Sequence, residues 1–87
     1  MKKLVNVVEI EGEGLESLMG EQVLLFCMNY IYAGELIGVN DSFVQLKGAK
    51  IVYETGPLMQ PGWKDSQALP HDWYVQTDAI ESFGLLK

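Results

Sequence analysis

Residues 22–55 read QVLLFCMNYIYAGELIGVNDSFVQLKGAKIVYET, and this stretch decides the fold. It is dense in Val, Ile, Leu, Phe and Tyr, the residues that suit a pleated, half-buried surface, and it is punctuated by turn residues. Gln22 to Met28 is nearly all apolar, as expected of a strand covered on both faces. Asn29 is the turn residue, because Asn tolerates a left-handed backbone. Tyr30 to Val39 is the second strand, and its interior glycines Gly34 and Gly38 mark a bend or bulge. After Asn40-Asp41 a third strand starts at Ser42, turns sharply at Lys47-Gly48 and continues through Ala49 to Thr55. Three short strands with curvature points imply a small barrel rather than a flat sheet, since closure hides exposed edges.

Working outward, residues 1–13 form an N-terminal arm whose apolar residues Leu4, Val5, Val7, Val8 and Ile10 fit a strand or a flexible arm equally well. Five Glu and no base lie between Glu9 and Glu21. Within that segment Leu15, Leu18 and Met19 stand at i, i+3 and i+4, which predicts a helical turn or two with an apolar stripe, ended by Gly20. Residues 56–71 hold all three prolines, with Gly56, Gly62, Asp65 and Ser66, and read as a long loop between the third and fourth strands. Trp63 in that loop and Trp73 just beyond it either cap the open end of the barrel or contact a partner. Asp72 to Gln76 is a strand, Thr77-Asp78-Ala79 a tight turn, and Ile80 to Leu86 the last strand.

The chain has 87 residues, room for one domain with one small core, and so short a chain is marginal in stability without help. Cys27 is the only cysteine, and in an apolar strand it reads as an inert, buried thiol rather than a reactive one. With a single His (His71) and a single Cys, a zinc site is improbable and no cofactor is expected, which leaves oligomerisation as the way to stabilise the domain. Lys2 and Lys3 before an apolar run faintly imitate a signal peptide, but Asn6 and Glu9 interrupt it. The longest uncharged stretch, residues 22–34, is shorter than the roughly 20 residues that a membrane-spanning helix needs, so a cytoplasmic protein with no membrane partner is expected. Twelve acids oppose six bases, all Lys, for a net charge of −6. Phosphate backbones are bound by Lys and Arg, so duplex DNA is not an expected partner.

A short N-terminal helix and a five-stranded meander bent at glycines resemble the Sm-like fold of the Sm, LSm and Hfq proteins. The resemblance covers roughly residues 14–55 and 73–84. Tyr32, Gly34 and Leu36 match the first half of the first Sm motif, and Asp41-Ser42-Phe43-Val44-Gln45-Leu46 is similar to the second. The spacing from Gly34 to Asp41 is one residue longer than usual, which fits either a bulge or Asn40 in the Asp position, and Gln45 stands where Sm proteins carry a base-contacting Asn. The segment from Lys47 to Thr55 also resembles short Sm-like proteins encoded by bacteriophages. The resemblance implies a strongly bent five-stranded antiparallel open barrel, and a homo-oligomeric ring of five to seven subunits built by pairing the fourth strand of one copy with the fifth of the next. It also implies a nucleotide site formed by Asp41, Phe43 and Gln45 with the turn before the last strand.

That turn, Val75 to Ile80, is similar to the Hfq pattern except that Thr77-Asp78 replaces the basic pair. A carboxylate where phosphate should lie repels it. Three functions follow as expectations. The first is a non-enzymatic binding or scaffold ring, and the second is an RNA-binding ring reading single strands through Phe43 and Gln45. The third, an enzyme, ranks last because no nucleophile is paired with a base and no phosphate-cradling loop is present.

Overall fold

The computed structural model describes residues 14–86; the arm expected at 1–13 lies outside the described residues. The chain is mainly β. Six strands run in the order β1 (Gln22–Cys27), β2 (Ile31–Val39), β3 (Phe43–Glu54), β4 (Asp65–Ala68), β5 (Trp73–Gln76) and β6 (Ile80–Leu85). They form one antiparallel sheet ordered β4-β3-β2-β1-β6, with β5 also on β3. The two ends of the sheet do not pair, so it stays open.

Alternation along β1 explains why that strand is apolar throughout. Val23 and Leu25 enter one cluster with Leu36, Val44, Leu46, Ala49 and Val75, while Leu24 enters a second with Ala33 and Val52. Both faces are therefore covered, as the sequence implies. Met28, Asn29 and Tyr30 connect β1 to β2, with the Cys27 amide donating to the Tyr30 carbonyl at 3.0 Å. Asn29 is the turn residue, but not for the expected reason: among the described residues only glycines have positive φ.

The glycines of β2 sit where its pairing with β3 slips. Register shifts fall between Ala33 and Glu35 and between Leu36 and Gly38. At Gly34 the cause is close approach, since a Cβ would meet the Lys47 carbonyl oxygen at 3.1 Å and the Ala49 Cα at 3.2 Å. Opposite it, Gly48 takes φ +61°, so β3 bends there without ending.

Two elements differ from expectation. The helix over Leu15–Met19 is a four-residue 3-10 turn, Leu15–Leu18, with Leu15 and Leu18 packed on the first cluster and Met19 exposed. Gly20 ends it with φ +83°. The 56–71 segment is not one loop and the strand count is six rather than five, because Asp65–Ala68 pairs with the far half of β3, from Lys50 to Glu54. Strand β5 then pairs with the near half, from Phe43 to Leu46. Together β4 and β5 form one edge, broken at 69–72 around Pro70, beside the bend of β3 at Gly48. Asp-Ser-Gln-Ala has little intrinsic strand preference, and the unpaired edge of β3 imposes the conformation.

Candidate functional site

Asn40 organises the entry to β3. Its side-chain oxygen accepts the amides of Ser42 (2.7 Å) and Phe43 (2.9 Å), a local turn that fixes where the strand begins. Across from it, the turn Thr77–Ala79 is tied down by three contacts. The Thr77 hydroxyl donates to the Asp41 carbonyl (2.9 Å), its amide donates to the Ser42 carbonyl (3.0 Å), and the Met28 amide donates to the Ala79 carbonyl (2.9 Å). The loop bearing Asp41 and the turn bearing Asp78 are thus brought together although 36 residues separate Asp41 from Thr77.

Phe43 and Gln45 point to the same side of β3, away from Val44 and Leu46 in the core. The Phe43 ring is part-exposed and stands edge-on to Tyr74, with centroids 5.1 Å apart at 89°. Gln45 donates through Nε2 to the Asp72 carboxylate at 3.2 Å. The surface therefore combines two accessible aromatic rings with exposed carboxylates at Asp41, Asp72 and Asp78. It offers stacking and hydrogen bonding to a base or to an amide, and repels an anion. Tyr74 and Asp72 lie outside the motif that the sequence displays. Alternation about the buried Val75 is the signal that would have shown Tyr74 facing outward.

The two tryptophans part company. Trp63 is half-buried against Leu24, Ala33 and Val52, so it covers the second cluster. Trp73 lies opposite Leu46 on the edge strand β5 and is partly exposed. Among the described residues no group of three or more His, Cys, Asp or Glu side chains is placed to hold a metal ion. Cys27 is only partly buried, and its desolvation pushes the thiol pKa above its ordinary value. Burial raises the Tyr32 phenol as well, with smaller contributions from Cys27 and Tyr30. No described helix is long and apolar enough to cross a membrane.

The β6 edge of the sheet carries the other conspicuous surface. A groove of about 380 Å³ runs over Leu24, Phe26 and Gly84, walled by Leu58 and Met59 of the loop before β4. Met59 is 92% exposed, and on β6 Phe83 and Leu85 are 43% and 51% exposed. Comparison of the chain with protein-family models, curated proteins and solved structures returns no match.

Proposed function

We propose that this chain is a non-enzymatic Sm-like protein that assembles head to tail into a homo-oligomeric ring of five to seven copies and serves as a binding or scaffold module. The observation that carries the reading is the open sheet. Strands β6 and β5 each pair on one side only among the described residues, and both edges bear exposed apolar side chains. An open edge with such side chains is a template for another strand, and the same unlike pair of edges repeated from copy to copy closes a ring if the rotation allows. The register shifts at Gly34 and Gly38 and the turn at Thr77–Ala79 support the reading, since they fall in the two stretches where the sequence resembles the family. Native mass spectrometry at micromolar concentration tests the proposal; one closed stoichiometry is expected, and a monomer alone rejects it.

A second reading, single-stranded RNA held at the ring through Phe43 and Gln45, is favoured by one observation, the paired exposed rings of Phe43 and Tyr74. The carboxylates of Asp41, Asp72 and Asp78 and the net charge of −6 weigh against it. Fluorescence anisotropy with labelled U-rich and A-rich oligonucleotides at low salt separates the readings. Binding that falls steeply with salt supports RNA, and its absence leaves the scaffold.

A further inference from the structure

The outer face of β3 and β5 is a strip of exposed rings set between carboxylates. Alternation puts Phe43 and Gln45 of β3 on that face, and the register sets Tyr74 of β5 opposite Gln45. On the β2 side Gln45 stands opposite Gly38, where an added Cβ would lie 3.5 Å from the Gln45 Cβ, so the glycine leaves that flank of the strip open. One end of the strip is Asp72, whose Oδ2 accepts the Gln45 amide at 3.2 Å. The other end is the pair of turns bearing Asp41 and Asp78, joined by the Thr77 hydroxyl.

Among the described residues the one ion pair, Lys64 with Glu54, lies outside the strip, so Asp41, Asp72 and Asp78 are exposed with no cationic partner there. The base that continues the row on β3, Lys47, stands opposite Glu35 of β2. An aromatic ring attracts a cation over its face, and a carboxylate beside it adds charge and hydrogen bonding. A guanidinium uses both at once, since its plane stacks on a ring while its fork meets a carboxylate. A phosphate is repelled by the same carboxylates.

From these observations we propose that the strip binds an extended, arginine-bearing segment of another protein, one guanidinium stacking on Phe43 and Tyr74 and pairing with Asp72, a second pairing with Asp41 or Asp78. The proposal rests on the binding-module reading, whose partner it names, and not on the ring. From Asp72 to Gln76 an extended strand rises about 13 Å, so two Arg side chains four residues apart on an extended segment match the strip. The chain has no Arg of its own, so the occupant is a different protein rather than a second copy.

The test is fluorescence anisotropy at low salt on the full-length chain, with a labelled Gly-Ser peptide carrying two Arg at that spacing and counterparts carrying Lys or citrulline. The Arg peptide is expected to bind more tightly than the Lys peptide, and the citrulline peptide not to bind. Tyr74→Ala and Asp72→Asn are each expected to weaken the Arg peptide about threefold, whereas Asp65→Asn on β4, which removes the same charge elsewhere, leaves it within about 1.5-fold. An Arg peptide that does not bind, a Lys peptide that binds as well, or equal effects of Asp72→Asn and Asp65→Asn overturn the proposal. So does a labelled U-rich oligonucleotide whose binding Tyr74→Ala weakens and Asp72→Asn strengthens, since loss of a carboxylate favours a phosphate. Light scattering on the same samples reads the ring separately. A monomer that binds the Arg peptide overturns the ring and keeps the strip, and a ring that ignores the peptide does the reverse. Circular dichroism checks folding, and Tyr74→Leu replaces Tyr74→Ala should the latter fail to fold.

Discussion

Gly34 and Gly84 stand in opposite surroundings. At Gly34 the Cβ position is filled by β3, within 3.1–3.2 Å of two backbone atoms and the Leu46 Cβ. Gly34→Ala is therefore expected to destabilise the fold by about 1–3 kcal/mol, an overpacking cost measurable by urea unfolding. Gly84→Ala, with open space around it, is expected to change stability by less than about 0.5 kcal/mol. Cys27 gives a chemical check. Its raised thiol pKa keeps it protonated and slow, so alkylation at pH 8 is expected to lag behind that of the unfolded chain, and equal rates would contradict the placement. The sign for stability follows. Cys27 and Tyr32 are both raised in the folded state, so their contribution is complete below their unfolded pKa values and is lost as pH rises through the folded ones. A urea midpoint that falls from about pH 8.5 upward is the expected result.

At the scale of elements, much of the sheet is legible in the sequence. The apolar run of Gln22 to Met28 announces a strand buried on both faces, and the glycines of the second strand announce the places where its register slips. Asp65–Ala68 was not legible, because a polar tetrapeptide becomes strand only by pairing with β3, and no local pattern records that partner. The expected helix is shorter in the structure: Leu15 and Leu18 meet the core within one 3-10 turn, and Met19, the third residue of the expected stripe, is exposed. The site divides likewise: Asp41, Phe43 and Gln45 stand on a contiguous motif, whereas Asp72 and Tyr74 join them only through the β3–β5 pairing. Leu25 and Leu36, both fully buried in the first cluster, tie β1 to β2. Leu25→Ala or Leu36→Ala is expected to cost about 2–5 kcal/mol in chemical unfolding. Hydrogen exchange distinguishes central strands from edges. Amides of β1 and β2 are expected to be the slowest, while outward amides of β5 and β6 exchange fast in dilute solution and slow on assembly.

For the whole molecule, the buried apolar core among the described residues is ten residues, and a single cysteine allows no disulfide within the chain to reinforce it. So slight a core makes assembly the natural source of further stability, since anything that binds the native state alone stabilises it by mass action. Unfolding midpoints are accordingly expected to rise with protein concentration. Twelve acids against six bases set the character of such an assembly, an acidic particle more apt to hold polar or basic partners than a phosphate backbone. The most direct measurement is size-exclusion chromatography with light scattering on the intact chain at micromolar concentration. A single species at five to seven times 9.7 kDa is the expected result, and a stable particle of one times that mass would contradict the ring.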